Sequence, residues 1–226
     1  MTYRNAKWKV YRTSFMNIIN YTYLLYDPVT RECAAVDPAW DISEMQADIS
    51  KLELKLKYVL LTHSHYDHIN KADIMTEIYP AQSVVSEVEG KYYSFCPKNC
   101  MYAADLDRLW LGEIPIICLL TPGHTAGSMC YQCGEMLFTG DTLFTEGCGY
   151  CKGAGADSHQ MYHSIQKLRR MIPQDTIILP GHKFRMDIGK TFAELENVNI
   201  YLQIENEKQF SGFRDRSGQK GLFDFK

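Results

Sequence analysis

The sequence lacks a long hydrophobic run, a large net charge and any low-complexity tract. No apolar stretch in its 226 residues approaches the ~18 residues that a membrane-spanning helix requires. The formal net charge is only −3 at pH 7, whereas a protein that wraps nucleic acid needs a strongly basic face. We therefore expect neither a membrane nor a nucleic acid as a partner.

The first residues, MTYRNAKWKVYR, also lack the features of a secretory leader. They contain neither an apolar segment nor a small-residue cleavage site, so we expect a cytoplasmic protein. The thiols of its eight cysteines are then expected to stay reduced. None of these patterns predicts the oligomeric state.

The composition is that of an ordinary globular protein, with 46% hydrophobic and 12% aromatic residues. Strand-like and helix-like segments alternate in two successive batches, without a linker or a short repeat between them. A chain of this length can bury one large core. We therefore predict a single α/β domain over residues 1–226.

Hydrophobic periodicity and the positions of glycine and proline predict the individual elements. Strands are expected at residues 7–12, 20–26, 33–38, 56–62, 82–88 and 175–182, with several more between residues 105 and 144. Helices are expected at residues 41–52, from His68 to about Tyr79, at 157–173 and from Thr191 to about Phe210. Residues 211–221 are expected to fray.

Four cysteines form two C-x2-C pairs, CYQC at 130–133 and CGYC at 148–151. This arrangement falls just short of the spacing of a four-cysteine zinc site. The alternative is that the first pair lies in a strand and its turn, and the second in a glycine-rich loop. We favour this alternative, because the intervening GEMLFTGDTLF matches another kind of ligand segment.

The segment YVLLTHSHYDHINKADI, residues 58–74, places His63, His65, Asp67 and His68 within six positions, directly after an apolar run. His63 and His65 are two residues apart on an extended segment, so both point to one side. Imidazole nitrogens and a carboxylate oxygen are ligands for zinc and, less specifically, for iron or manganese. A solvated polar turn would explain a lone histidine, but the order H-x-H-x-D-H predicts a metal site.

Three further residues repeat the pattern of an apolar strand followed by a possible ligand. They are His124 in ICLLTPGHTAGS, Asp141 in EMLFTGDTLF and His182 in TIILPGH. Each lies just beyond the C-terminal end of a predicted strand, where α/β proteins build their sites. A glycine directly precedes each one and lets the backbone turn sharply: Gly123, Gly140 and Gly181.

Five histidines and two aspartates exceed the roughly four ligands of one tetrahedral ion. With a bridging water they fit two ions, one held by three histidines and the other by one aspartate and two histidines, with one carboxylate shared. We therefore expect two Zn²⁺ per chain. The remaining histidines, His159 and His163, are expected on the surface or behind the ligands, and a substrate contact is the less favoured alternative.

In these motifs the sequence resembles the metallo-β-lactamase superfamily. T-H-x-H-x-D-H at residues 62–68, P-G-H-T-x-G-S at 122–128, G-D-T-L-F at 140–144 and P-G-H at 180–182 match its pattern residue by residue. The resemblance implies an αββα sandwich, in which two mixed β-sheets pack face to face with helices on the outer faces. It also implies a first zinc ion held by His63, His65 and His124, a second held by Asp67, His68 and His182, and Asp141 as the bridge.

Within the superfamily, the sequence resembles the glyoxalase II-like hydrolases through GDTLFTEGCGYCKGAGADSHQMYHSIQKL. It departs from glyoxalase II in lacking most of a helical C-terminal region that grips glutathione. Tyr150 also stands where a basic residue is usual, and Phe184, preceded by Lys183, where a phenol is usual. These departures disfavour glutathione thioesters.

The compact length and the opening KWKVYRTSFMNIINYTYLLYDP look most like the zinc-dependent hydrolases that accompany bacterial polyketide synthases. That resemblance implies a thioester substrate, such as an acyl chain on an acyl carrier protein or a related pantetheine thioester. A metal-bridging hydroxide is expected to attack the thioester carbonyl. Asp67 would orient this nucleophile and Asp141 would fix the two ions, so both are expected to act in catalysis.

Other functions remain open from the sequence. A mononuclear-iron persulfide dioxygenase has the same ligand order, and a glutathione thioester hydrolase of the glyoxalase II type is the other main alternative. Hydrolysis of RNA is disfavoured by the absence of obvious basic arms, and a non-catalytic scaffold is disfavoured because no ligand is lost.

Residues that contact the substrate are less well specified. Phe15, Met16 and Tyr150 could line an apolar acyl groove or simply pack. The ends of the chain are basic and are expected to be a solvated surface, with docking of an acidic carrier protein as the sharper alternative. The basic residues are Arg4, Lys7, Lys9, Arg12, Lys208, Arg214, Arg216, Lys220 and Lys226.

Overall fold

The computed structural model describes residues 6–217 and builds them into two β-sheets with helices. The first sheet contains six strands in the order β1-β2-β3-β4-β5-β6. Its first two pairings are antiparallel and the other three are parallel. The strands are β1 (Lys7–Phe15), β2 (Ile18–Tyr26), β3 (Glu32–Val36), β4 (Lys55–Leu60), β5 (Gln82–Ser86) and β6 (Cys100–Ala103).

The second sheet contains five strands in the order β11-β10-β9-β8-β7. β10 pairs with β11 in parallel, and the other pairings are antiparallel. The strands are β7 (Arg108–Leu111), β8 (Ile114–Leu120), β9 (Met129–Cys133), β10 (Met136–Gly140) and β11 (Ile177–Pro180). Both sheets therefore mix parallel and antiparallel pairs, as the resemblance implies.

Eight helices lie within the described residues: the first four alternate with strands of the first sheet, and the last four come after β10 of the second. They are α1 (Ser43–Lys51), α2 (Tyr66–Ile69), α3 (Ala72–Ile78), α4 (Glu87–Tyr93), α5 (Ser158–Met171), α6 (Phe192–Val198), α7 (Ile200–Gln203) and α8 (Glu207–Arg214). Within residues 6–217, no helix combines the length and the apolar character needed to cross a membrane.

Three layers of buried side chains hold these elements together. The core between the sheets contains Tyr23 and Leu60 of the first sheet with Tyr131 and Phe138 of the second. A second cluster packs α5 to α8 on the outer face of the second sheet, and a third packs α1 and α3 on the outer face of the first. The αββα prediction is confirmed.

The two C-x2-C pairs do not form a four-cysteine cluster. Cys133 lies in the core between the sheets, whereas Cys130, on the opposite face of β9, lies in the outer cluster with Cys148 and Cys151. All eight thiols are free. The first pair is thus in a strand and the second in the loop after β10, as the favoured alternative predicted.

Some predicted helix boundaries are wrong. The helix expected from His68 to Tyr79 is split into α2 and α3, because the Lys71 N–H donates to Pro38 O at 3.2 Å instead of to a carbonyl of α2. Residues 87–88, predicted as strand, begin α4, whose first turn is capped by the Ser86 hydroxyl.

The prediction for residues 211–221 is also wrong in its first part. Residues 211–214 complete α8, because Ser211 and Arg214 are buried against the rest of the chain. Residues 218–221 lie outside the described part of the chain.

Candidate metal centre

Four chain segments converge at the C-terminal ends of strands from both sheets. The segment after β4 carries His63, His65, Asp67 and His68. The segments after β8, β10 and β11 of the second sheet carry His124, Asp141 and His182. All seven residues predicted as ligands therefore come together at one edge of the sandwich.

His63, His65 and His124 form the first group, in which one ligand atom of each lies within 4.8 Å of those of the others. His124 Nε2 lies 2.9 Å from His65 Nδ1. His63 and His124 are buried and His65 is exposed, so solvent reaches this group from the His65 side. Three nitrogens that face one another in this way are a donor set for one divalent cation.

Asp67, His68 and His182 form the second group, with the same 4.8 Å limit between ligand atoms. His68 Nε2 lies 3.2 Å from His182 Nε2, and Asp67 Oδ2 lies 3.3 Å from His182 Nε2. Asn20 Nδ2 donates to the same Asp67 oxygen at 3.1 Å and fixes the carboxylate.

Asp141 lies between the two groups. Its Oδ2 is 3.4 Å from His124 Nε2, and its Oδ1 is 3.4 Å from His68 Nε2 and 3.6 Å from His182 Nε2. One carboxylate oxygen thus faces each group, which is the arrangement that a shared ligand requires.

Buried ligand atoms that have no hydrogen-bond partner indicate that the seven residues suit a metal site. Among the described residues, His63 Nε2 and Asp141 Oδ1 are buried without a hydrogen-bond partner. A buried polar atom without a partner costs free energy unless something else satisfies it. Imidazole nitrogens and carboxylate oxygens are donors that Zn²⁺ prefers, so these residues fit zinc.

Four of the histidines are held through Nδ1, which leaves Nε2 facing the centre. His124 Nδ1 donates to Tyr150 O at 2.7 Å, and His182 Nδ1 donates to Ile19 O at 2.6 Å. Such acceptors fix the tautomer and the ring orientation of a metal-binding histidine.

The other two histidines, His68 and His63, are held by Asp37, the second of them through Thr62. The sequence analysis did not identify Asp37. His68 Nδ1 donates to Asp37 Oδ2 at 2.9 Å, and Thr62 Oγ1 donates to the same oxygen at 2.6 Å. His63 Nδ1 lies 3.0 Å from Thr62 Oγ1 and donates to it. Asp37 also lies close enough to His63 and His68 to form a third candidate ligand group. We assign it instead to orientation, because its Oδ2 is occupied by these two donors.

Glu89 of α4 is a second buried carboxylate behind the centre, and its side chain joins two ligand segments. Its Oε1 accepts from the backbone N–H and the hydroxyl of Ser64, which lies between His63 and His65. Its Oε2 accepts from Thr125 Oγ1 at 2.8 Å and Gly127 N at 2.9 Å, just after His124. The sequence SEVEG gives no sign of this role, whereas Asp37 follows an apolar strand as the predicted ligands do.

Burial and charge set the protonation of the centre without a bound ion. Burial lowers the pKa of His63 well below its usual range and that of His124 to about 4. Burial also acts to lower the pKa of His68, but the carboxylates of Asp141, Asp67 and Asp37 outweigh it and raise that pKa to about 10. Burial opposes ionisation of Asp141, yet the neighbouring histidines hold its pKa below the usual value.

Glycines allow the close approach of these segments. An added Cβ at Gly181 would lie 2.5 Å from His68 Cε1, and Gly140 has a φ of +47°, so the predicted roles of these glycines fit the structure. Gly149, which the sequence analysis did not identify, is equally restricted. Its added Cβ would lie 2.0 Å from Asp141 O and 2.9 Å from His124 Nδ1.

The other predicted site residues fall into two classes. His159 and His163 lie on the surface beside Glu207, as expected. Phe15 and Met16 are exposed at the turn between β1 and β2, and Tyr150 flanks His124 through its carbonyl.

The basic docking surface is only partly available in the structure. Lys9 pairs with Asp48 at 2.6 Å. Arg214 is buried, with its guanidinium over the rings of Tyr150 and Tyr201, so it is not a surface cation. Of the other basic residues predicted to form this surface, four lie within the described residues: Lys7, Arg12, Lys208 and Arg216. The last three, Arg4, Lys220 and Lys226, lie outside the described residues.

Comparisons with known proteins identify the family to which the chain is similar. Residues 19–182 match the family model described as the metallo-beta-lactamase superfamily. The chain is 42% identical to the probable polyketide biosynthesis zinc-dependent hydrolase PksB of Bacillus subtilis, over 98% of this chain and 100% of PksB. It is 41% identical to the probable polyketide biosynthesis zinc-dependent hydrolase BaeB of Bacillus velezensis, over 100% of this chain and 99% of BaeB.

The fold is similar to that of solved structures. The crystal structure of ETHE1 from Myxococcus xanthus superposes with a TM-score of 0.81 at 25% identity, over 96% of this chain and 95% of that one. The similarity thus extends over nearly the whole length of both chains.

Proposed function

The chain belongs to the metallo-beta-lactamase superfamily, and from that premise we propose that it is a zinc-dependent hydrolase of thioesters. Its proposed substrate is an acyl chain on an acyl carrier protein, or a related pantetheine thioester, in polyketide biosynthesis. The observation that carries the proposal is the pair of ligand groups with one oxygen of Asp141 facing each.

The proposed ligands of the two Zn²⁺ ions are the seven residues predicted from the sequence. His63, His65 and His124 would hold one ion, Asp67, His68 and His182 the other, and Asp141 both. When bound, such ions polarise a carbonyl oxygen and lower the pKa of water towards ~7.

The chain itself orients the groups that perform this chemistry. Four imidazoles are held through Nδ1, by Asp37, Thr62 Oγ1, Tyr150 O and Ile19 O, so that each presents Nε2. Asp67 is half-buried, and its carboxylate would orient an attacking water as well as hold the second ion. Its Oδ2 is positioned by the Asn20 amide, which fixes the direction of that acceptor.

The proposed substrate class is supported by PksB and BaeB, whose names give polyketide biosynthesis and which this chain matches over nearly its full length. Tyr150 and Phe184, which differ from the glyoxalase II pattern, support a thiol carrier other than glutathione. A thioester also suits the centre because a thiolate is a good leaving group and needs little help from a general acid.

A panel of thioesters tests the proposal. Zinc-loaded protein should hydrolyse acyl pantetheine or acyl carrier protein with a higher kcat/KM than the matching glutathione thioester, measured by thiol release. Faster turnover of the glutathione thioester would assign the enzyme to the glyoxalase II type. Absence of thiol release from every member would contradict the proposal.

The role of Asp141 gives a mutational prediction. Asp141→Asn should lose bound zinc and reduce kcat/KM by about 100-fold, because an amide is a poorer ligand than a carboxylate. Asp175→Asn, in an exposed turn before β11, should retain the metal content and the rate. Wild-type zinc content and wild-type hydrolysis in Asp141→Asn would show that Asp141 does not bridge.

The main alternative is a mononuclear-iron persulfide dioxygenase, since the same ligand types bind iron. Elemental analysis separates the two functions. One iron per chain, no zinc, and oxygen uptake with a persulfide would favour the dioxygenase.

A further inference from the structure

An exposed aromatic surface lies beside the second ligand group. Phe15 stacks on Trp40, with ring centroids 5.2 Å apart and an interplanar angle of 21°, and Trp40 meets Tyr66 edge to face at 6.0 Å. Phe15 is 52% exposed and Tyr66 is 71% exposed. We call these three residues the aromatic shelf. Contiguous exposed apolar surface of this kind usually marks a binding site.

The shelf is held in a defined position, because hydrogen bonds fix Trp40 in an unusual backbone conformation. Its φ is +59°, in the left-handed region that bulky residues rarely adopt. Two bonds fix it there: its backbone N–H donates to Asn70 Oδ1 at 2.8 Å, and its indole N–H donates to Asn20 Oδ1 at 2.6 Å. Strain that is held in this way is concentrated at functional positions.

The shelf is continuous with the metal centre. Asn20 accepts from the indole of Trp40 through Oδ1 and donates to Asp67 Oδ2 through Nδ2, at 3.1 Å. Tyr66 directly precedes Asp67 along the chain. A substrate whose reacting carbonyl lies at the ligand groups would therefore meet the shelf with its next few atoms.

The chemistry of the shelf favours an uncharged chain as the occupant. Its rings are flanked at the β1–β2 turn by Met16 and Ile18, which are 86% and 40% exposed. Asp41, next to Trp40, is exposed and acidic, which disfavours an acidic partner. We propose that the aromatic shelf binds the apolar acyl chain of the thioester, a specificity site that rests on the proposed function.

A chain-length series tests the inference. Acetyl and octanoyl thioesters of N-acetylcysteamine share one leaving group and differ only in the acyl chain. In the wild-type protein the ratio of kcat/KM for octanoyl over acetyl should be large. The double variant Phe15→Ser/Tyr66→Ser should lower this ratio at least about tenfold, because the methylenes of the octanoyl chain would lose their apolar contact with the two rings.

The control is Val29→Ser, which removes an exposed apolar side chain at the other end of β2. It should retain both rates. An unchanged octanoyl-to-acetyl ratio in the double variant would overturn the inference while leaving the thioesterase proposal intact.

A binding measurement gives a readout that does not need turnover. S-octyl-N-acetylcysteamine is a thioether and cannot be hydrolysed. It should change the tryptophan fluorescence of the wild-type protein in a saturable way, and Trp40→Phe should abolish the change although Trp8 and Trp110 remain. Affinity in the double variant equal to that of wild type would overturn the inference, even if the protein hydrolysed no thioester.

Other occupants have distinct outcomes. If the double variant slowed only acetyl carrier protein, without altering the octanoyl-to-acetyl ratio, the shelf would bind the carrier and the inference would be wrong. A wild-type dimer that the double variant dissociates in sedimentation equilibrium, with an unaltered ratio, would assign the shelf to self-association and would equally overturn it.

Discussion

At the scale of single residues, buried carboxylates that are not predicted ligands organise the metal centre. Asp37 orients His68 directly and His63 through Thr62, so one side chain serves one histidine of each group. Glu89 joins the segment of His63 and His65 to the segment of His124. Neither carboxylate is exposed, and each is satisfied by donors that belong to ligand segments.

Glu89→Gln tests whether the histidine segments depend on this link. An amide NH2 group cannot accept, so either the two bonds from Ser64 or the bonds from Thr125 and Gly127 must be lost. We expect zinc affinity of the first group to fall about 10–100-fold, so that titration yields one tight ion instead of two. The measurement is zinc stoichiometry by competition with a chromophoric chelator.

Glu87→Gln is the matched control, because Glu87 lies in the same helical turn but is exposed and pairs with Lys91. It should bind zinc as the wild type does. Two equally tight ions in Glu89→Gln would show that the link is dispensable.

At the scale of elements, the loop between β10 and α5 supports the first ligand group. It carries Tyr150, whose carbonyl accepts from His124, and Gly149, which packs against the backbone of Asp141. α8 braces this loop from outside, since the buried guanidinium of Arg214 lies over the Tyr150 ring. α8 thus contacts the loop that holds His124 without supplying a ligand itself.

Gly149→Ala should displace this loop, because the added methyl meets the Asp141 carbonyl oxygen, a backbone atom that cannot swing away. We expect a loss of about 1–3 kcal/mol in the free energy of unfolding, measured by urea titration in EDTA, and weaker zinc binding. Gly212→Ala in α8 has open space around its Cβ and should be stabilised by about 0.5–1 kcal/mol. A Gly149→Ala protein as stable as wild type would contradict the packing described.

At the scale of the whole molecule, the centre joins the two sheets. The segment after β4 of the first sheet supplies four of the seven proposed ligands, and three segments of the second sheet supply the rest. An ion bound in either group would therefore link the two halves of the sandwich. Ligands that bind only the native state stabilise it by mass action.

Zinc removal should lower the melting temperature. Free zinc at 100 times its dissociation constant adds about 2.7 kcal/mol, which corresponds to a rise of about 5–10 °C for a protein of this size. Scanning calorimetry in EDTA and in buffered zinc measures the difference. His159→Ala/His163→Ala should show the same difference, because those rings lie on the surface. Equal melting temperatures in EDTA and zinc would contradict the centre.

The rise in melting temperature that zinc causes should also become larger as pH increases. Since the pKa of His68 is raised to about 10, the metal-free protein carries a proton there that zinc must displace below that pH. In EDTA the pH dependence runs the other way. The contribution of protonated His68 to the free energy of unfolding is complete below the ordinary pKa of 6.5, and it is lost as pH rises through about 10. Melting curves at pH 6.5 and 8.5 with and without zinc measure both trends.

The pattern of the sequence determined the α/β class and the set of residues that meet at the centre, whereas the αββα arrangement followed from the resemblance to a known superfamily. The ligands follow apolar strands, and the C-terminal ends of neighbouring strands share an edge of a sheet, so local pattern and chain order were enough for His63, His124 or Asp141. The same local logic placed Cys130 and Cys133 in a strand.

Only the tertiary structure decided which side chains stand behind and beside that centre. Glu89, Trp40 and Arg214 look like ordinary helix or surface residues in the sequence, and their partners lie about 20 to 60 positions away. Whether a carboxylate is buried against four donors or left in solvent depends on contacts between distant segments. No local periodicity encodes such contacts, because they arise only when the two sheets have packed together.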